Sequence, residues 1–236
     1  LSNDKVNCIH EDTEGNLWIG TLGGGLNRFK RDTEEYTHFK NDPKDNNTLP
    51  NDIVRCVYED SNGQLWIGTD GGLALYNKAQ GIFKTYSAKP NNMNSLVDNR
   101  VYAIQEDNYG NLWIGTWAGG ITKFDIDKGQ FSRYNVNNSN LSSANIWEIY
   151  KDKKGNLWFG STYGLYRYNR IEDGFIRYIY NPEDSSSISG NAVSEIYENS
   201  RGNLWIGTLS GGLNLFNKEN QEFQRYTIED GLISNT

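Results

Sequence analysis

Residues 110–116 read Gly-Asn-Leu-Trp-Ile-Gly-Thr, and the same heptad returns with small changes at 15–21, 63–69, 155–161 and 202–208. The tryptophans of these copies are Trp18, Trp66, Trp113, Trp158 and Trp205, spaced by 48, 47, 45 and 47 residues. A near-constant period of this length marks a tandem-repeat architecture in which each copy supplies one supersecondary unit. Before each heptad lies a charged turn closed by glycine, as in Glu11 to Gly15 and Glu106 to Gly110, which reads as a β-hairpin connection. Further upstream, short strands open at Val6, Val54, Val101, Ile146 and Val193, each with an aliphatic residue three places later. Downstream, a glycine-rich turn leads to a third strand (Gly25 to Phe29, Gly164 to Tyr168). A fourth strand carries paired aromatics, such as Tyr36 and Phe39 or Phe131 and Tyr134.

Four strands per unit predict an all-β fold, a β-propeller of five four-stranded blades. The ring is either closed by these five blades or is an arc of a larger propeller. Helices are excluded because apolar residues do not recur at three and four and glycines interrupt each segment. The strands are apolar on both faces, as a sheet sandwiched between neighbours requires. Burial of a tryptophan is worth about 4–6 kcal/mol before entropic costs, so all five heptad tryptophans are expected in the core. The chain reads as one propeller domain, 1–236, with repeats at approximately 1–48, 49–95, 96–140, 141–187 and 188–231. Residues 232–236 repeat the phase of Leu1 to Lys5 and are expected to begin a sixth copy. Long polar segments, 41–52, 88–99, 135–145 and 181–191, serve as crossovers between blades.

Thirty acidic against 23 basic residues give a net charge of −7 with no basic stripe, which argues against nucleic acid as a partner. No apolar run is long enough to span a membrane, so no direct insertion by this chain is expected. The start at Leu1, mid-pattern and without a signal peptide, suggests a piece of a longer polypeptide. Cys8 and Cys56 hold equivalent positions in adjacent repeats and read as two small buried thiols. The Asp-x-x-Gly turns are not calcium loops, since the fourth copy places Lys153 and Lys154 where ligands would stand. No metal site and no cofactor is expected, because neither His-x-x-His nor Cys-x-x-Cys spacing occurs.

Gly-Asn-Leu-Trp-Ile-Gly-Thr followed by Gly-Gly-Leu and a phenylalanine resembles the two-component regulator propeller repeat, over nearly the whole chain. The resemblance implies an extracytoplasmic or periplasmic sensor region of a bacterial receptor, often a hybrid histidine kinase, responding to oligosaccharides. Sensor propellers of that family commonly carry seven repeats per ring, where this chain has five.

Strand alternation puts the turn between strands two and three on the same face as the crossovers. Residues that vary between copies on that face are the candidate site. The second position of the first strand reads Asn7, Arg55, Tyr102, Trp147 and Ser194, which in a ring would face the mouth of the central channel. The turn after the heptad reads Leu22, Asp70, Trp117, Tyr163 and Leu209. The candidate ligand-binding residues are therefore Arg55, Asp70, Tyr102, Trp117, Trp147 and Tyr163. Indole faces suit the apolar side of a sugar, while Arg55 and Asp70 can hydrogen-bond hydroxyls or a carboxylate. Arg55, Tyr102, Trp117 and Trp147 are expected to rim one pocket.

Two other readings compete. One is a protein-interaction or assembly module, a homo-oligomer formed through end blades. The other is a propeller lyase or hydrolase, which needs a convergent base. His10 and His38 are the only histidines, and strand order places them on an inner and an outer strand, so no catalytic residue is assigned and the chain reads as a non-enzyme.

Overall fold

The computed structural model describes residues 1–235. Thr236, the last residue of the expected sixth copy, lies outside the described residues. Among them twenty strands form five four-stranded antiparallel sheets, with a single 3₁₀ turn at Ile228–Asp230. The chain divides into two compact units, Leu1–Arg133 and Tyr134–Thr236.

The first unit holds three sheets. They are β1 (Val6–Glu11), β2 (Leu17–Thr21), β3 (Leu26–Lys30) and β4 (Glu35–Phe39); β5 (Val54–Glu59), β6 (Leu65–Thr69), β7 (Gly72–Asn77) and β8 (Ile82–Tyr86); and β9 (Val101–Glu106), β10 (Asn111–Thr116), β11 (Ile121–Asp125) and β12 (Gln130–Tyr134), whose last residue opens the second unit. The second unit holds β13 (Ile146–Lys151), β14 (Leu157–Ser161), β15 (Gly164–Asn169) and β16 (Gly174–Tyr178), then β17 (Val193–Glu198), β18 (Leu204–Thr208), β19 (Gly212–Asn217) and β20 (Glu222–Tyr226). In every sheet the strands pair in sequence order. Within each unit the first strands of consecutive sheets lie side by side.

One hairpin chemistry repeats at the turn between first and second strands. The indole Nε1 of Trp18, Trp66, Trp113 and Trp158 donates to the buried carboxylate of Asp12, Asp60, Asp107 and Asp152 at 2.8, 2.8, 3.0 and 3.1 Å. The other carboxylate oxygen accepts the backbone N–H groups two and four residues on, as Asp12 does from Glu14 and Asn16. Burial opposes ionisation of Asp12, Asp107 and Asp152, but these donors outweigh it and hold the carboxyls below their usual range. The Asp-x-x-Gly turn thus spends its acceptors on the protein's own core.

Each of these tryptophans faces the next sheet where that sheet lies in the same unit. Trp18 packs with Leu65, Tyr76 and Phe83, Trp66 with Ile104, Leu112 and Phe124, and Trp158 with Leu204, Phe216 and Phe223. The heptad glycine makes this approach fit: a Cβ on Gly20 would lie 2.6 Å from Val54 Cγ1 of the second sheet. Gly72, at φ 136°, enters β7 where a side chain would meet the Tyr86 carbonyl at 2.6 Å.

Two sequence expectations need correction. Trp205 is half-buried, not core. By the rule of the other copies it faces away from the fourth sheet, and its hairpin carries Asn199 in place of aspartate. Among the described residues Asn199 accepts from the backbone of Arg201 and Asn203 but not from the indole. Cys8 and Cys56 are half-buried instead of buried, packed at the margins of the core clusters and not inside them. Burial still pushes the Cys8 thiol up to about 11.

The crossovers are gripped by the outer strand of the sheet they lead into. Phe83 N–H donates to Asn47 O, Phe131 N–H to Asn94 Oδ1, Phe175 N–H to Asn140 Oδ1 and Phe223 N–H to Ser186 O. Arg133 adds donors to the carbonyls of Lys89, Asn92, Ser95 and Leu96. Arg225 does the same for Asn181, Asp184 and Ser187. Acidic residues ending first strands tie neighbouring sheets: Glu59 accepts from Thr13, Glu106 from Ser61 and Glu198 from Lys153 backbone N–H.

Candidate functional site

Every first strand carries a β-bulge. The register slips between Val6 and Cys8, Val54 and Cys56, Ile146 and Glu148, and Val193 and Glu195, and opposite Val101 and Ala103 at Gly115 and Thr116. The residues left without a ladder partner are Asn7, Arg55, Tyr102, Trp147 and Ser194, the variable positions of the sequence. A bulge re-aims one side chain without ending the strand, so one site per repeat is free to differ in chemistry.

The turn after the second strand is pinned beside that bulge. Leu22, Asp70, Trp117 and Leu209 donate their backbone N–H to Lys5, Ile53, Arg100 and Ala192, each just before its own first strand. Bulge and turn side chains of one sheet therefore become neighbours.

In the first unit this produces a continuous ladder. Arg55 Nε and Nη2 donate to Asp70 Oδ1 and Oδ2, both at 2.8 Å, in a bidentate pair. The side chains are 23% and 18% exposed. The guanidinium lies 4.7 Å over the Tyr102 ring, and Tyr102 stacks on Trp117 at 5.3 Å and 30°. The Asp70 hydrogen bond outweighs burial and holds the Arg55 proton more tightly than usual. Asn7 extends the row by donating to the Val54 carbonyl at 2.9 Å. Four of the six candidate residues thus meet: Asp70, Arg55, Tyr102 and Trp117.

Trp147 and Tyr163 occupy the same repeat positions in the second unit. Trp147 is half-buried and Tyr163 is 57% exposed. Tyr163 joins no ring stack among the described residues, and its carbonyl accepts from Arg177 Nε and Nη2. The ring-on-ring pairing of Tyr102 with Trp117 is therefore not repeated there.

A pair that the sequence reading missed also lies in the second unit. Glu148 and Glu195 follow the bulges of β13 and β17, where the first unit has Cys8, Cys56 and Ala103. Burial, with the Glu195 charge adding to it, pushes the Glu148 carboxyl up to about 8. Glu195 is raised by burial. An acid at a position otherwise filled by small apolar residues was the available signal.

The larger clefts lie at the opposite end of the sheets. One is lined by Gly202, Asn203, Lys218 and Phe223, and another by Gly155, Arg167 and Ile171. The histidines sit on opposite edges of one sheet, His10 on β1 and His38 on β4, where His38 Nδ1 meets Asn27 Oδ1 at 2.6 Å. Among the described residues no group of three or more His, Cys, Asp or Glu side chains could hold a metal, and no helix is long and apolar enough to cross a membrane.

The sequence profile of the two component regulator propeller matches residues 1–23, 48–71, 95–118, 140–163 and 187–210, half of the chain. The chain belongs to this family. Each match runs from before the first strand to the turn after the second, so every regulator-propeller repeat here contains one bulge and its turn partner. No curated protein matches the sequence. Among solved structures, the extracellular domain of a hybrid two component system from B. thetaiotaomicron is 29% identical with a TM-score of 0.82, over 95% of this chain and 30% of that one. A second such extracellular domain from B. thetaiotaomicron is 27% identical with a TM-score of 0.75, over 94% of this chain and 31% of that one. The regulator-propeller chain therefore spans about a third of the length of these relatives. A virginiamycin B lyase from Staphylococcus aureus, 20% identical with a TM-score of 0.70 over 94% and 69% of the two chains, shares the propeller fold.

Proposed function

We propose that this chain is the ligand-recognising part of an extracytoplasmic, periplasmic sensor region in a bacterial two-component receptor, and that it binds a small ligand, an oligosaccharide by preference. The observation that carries this reading is the ladder Asp70–Arg55–Tyr102–Trp117. An aromatic platform and a half-buried ion pair are set side by side on bulges that no backbone pairing needs. Stacked rings offer flat apolar area for a sugar face, and the ion pair offers donors and acceptors for hydroxyls. Similarity to extracellular domains of hybrid two-component systems supports the signalling context. A binding role also fits the two histidines, which stand on opposite edges of one sheet and do not converge on each other.

Titration calorimetry of the whole chain against an oligosaccharide library tests the reading. Binding by one member, lost in both Tyr102→Ala and Trp117→Ala while the fold is kept, is the expected result. Silence across the library, or binding indifferent to both changes, would count against it.

A second role, assembly, is favoured by one observation. The fifth sheet exposes Tyr197 at 58% and Leu209 at 48% and leaves Trp205 half-buried, an apolar surface suited to a contact with another copy of the chain. Light scattering over a range of concentrations, on wild type and Trp205→Glu, tests it: a mass above 26.9 kDa that falls in the variant supports assembly, and a constant monomer rejects it.

A further inference from the structure

We propose that Asp70 makes the ladder selective for uncharged ligands, because by filling the fork of Arg55 it denies that fork to a carboxylate. This inference rests on the recognition reading above and names the class of ligand. An arginine recognises a carboxylate best through two parallel N–H donors. In Arg55 both donors of one edge, Nε and Nη2, are already committed to Asp70 at 2.8 Å. One face of the guanidinium is covered by Tyr102 at 4.7 Å. What remains, with no partner among the described residues, is the outer edge, the two N–H groups of Nη1 and the second N–H of Nη2, whose positive charge Asp70 already balances.

The charge balance points the same way. Arg55 and Asp70 sum to zero, and a carboxylate arriving at the outer edge would meet a guanidinium whose charge is already paired with Asp70, itself only 18% exposed. The neighbouring arginine at this end, Arg100, whose carbonyl holds the Trp117 turn, has Nε 3.4 Å from Asp98 Oδ1. Neither arginine offers an uncompensated charge. The remaining chemistry is a stacked pair of rings, one free N–H edge and the outer lone pairs of Asp70. That set matches a ring with an apolar face and hydroxyl groups that both donate and accept, and it penalises acids by leaving their charge unpaired.

The test is a tryptophan-fluorescence titration of the whole chain with matched glycans, oligogalacturonates against their methyl esters and neutral gluco-oligosaccharides against glucuronate-bearing counterparts. Wild type should prefer the neutral member of a pair by about tenfold or more. Asp70→Asn keeps one acceptor for Nε, frees the fork charge, and should raise affinity for the acidic member by about tenfold. Adding Arg55→Gln to Asp70→Asn should abolish that gain. A wild type that binds the acidic member as tightly as the neutral one overturns the inference while leaving the site standing. Discrimination in wild type that Asp70→Asn does not relax overturns the assignment to Asp70. Failure of every glycan to move the fluorescence removes the recognition reading and this inference with it.

Discussion

Each sheet has two ends, and they are built on opposite logics. At the hairpin joining first and second strands, four of the five copies repeat one arrangement, an aspartate closing on its own turn and on a tryptophan six residues on. At the other end, the bulge and its partnering turn hold a different pair in each copy: Asn7 and Leu22, Arg55 and Asp70, Tyr102 and Trp117. The hairpin end buries polar atoms that must be satisfied internally, so any change there leaves a desolvated group behind. The bulge side chain has no ladder duty, so it changes at little cost to the sheet. Uniformity at one end and variety at the other set the end that holds the fold apart from the end to which we assign recognition.

The sharpest way to break this division is Asp107→Ala. It strips the buried Trp113 indole of its acceptor and releases the Tyr109 and Asn111 N–H groups, so a loss of about 3 kcal/mol is expected in urea unfolding. A loss below about 1 kcal/mol would mean the hairpin end is as replaceable as the bulge end. The same carboxylates give a pH signature. Asp12, Asp107 and Asp152 sit below the ordinary value in the fold, so their contribution is complete above about pH 4 and fades as pH falls through the folded-state values. Thermal melts from pH 6 to pH 2 should show it.

Glu148 carries the next effect, with the reverse sign. Its folded value of about 8 stands above the ordinary glutamate value of 4.5, so the folded chain keeps a proton that the unfolded chain loses, and stability declines as pH rises between those values. Glu148→Gln should raise stability at pH 8 by about 2 kcal/mol and change little at pH 4. A melting difference that does not depend on pH would remove the buried-acid account.

Asn199→Asp asks whether the one irregular hairpin can be made regular. Supplying the missing acceptor to Trp205 should add about 0.5–1 kcal/mol, less than a buried copy would gain because this indole is half-open to water. The smallest expected change is that of Trp117→Ala on folding, below about 1 kcal/mol, despite the loss of a large ring. Stability untouched and glycan response gone is the combination that would sharpen the contrast most. A melt that collapses in Trp117→Ala would place that residue with the core.

Much of this architecture could be read from the chain. First-strand starts at Val6, Val54, Val101, Ile146 and Val193 coincide with the observed ones, because glycine turns and a fixed period leave little freedom in phase. The bulges were half-visible. Val54 and Val57, or Val101 and Ile104, are three apart, a spacing that breaks the two-residue alternation of a plain strand. What could not be read was partnership. That Arg55 pairs with Asp70 depends on a backbone bond from Asp70 to Ile53, seventeen residues away along the chain. The half-burial of Trp205 depends on what covers the fifth sheet, and no local pattern encodes that. Arg133 and Arg225 looked like scattered surface charges, since their carbonyl partners lie about forty residues upstream.

Those two arginines bear on how such arrays can be cut and rejoined. Because each crossover is held by the sheet that follows it, the exchangeable cassette is a loop together with its downstream sheet. A recombination joint just after Tyr86 carries the loop, its arginine clamp and β9–β12 into a new host intact. A joint placed after the loop, before Val101, would separate Arg133 from all the carbonyls it holds and deliver a sheet without its lead-in. Insertion, duplication and grafting of these repeats should therefore succeed at the outer-strand boundary and fail at the inner one.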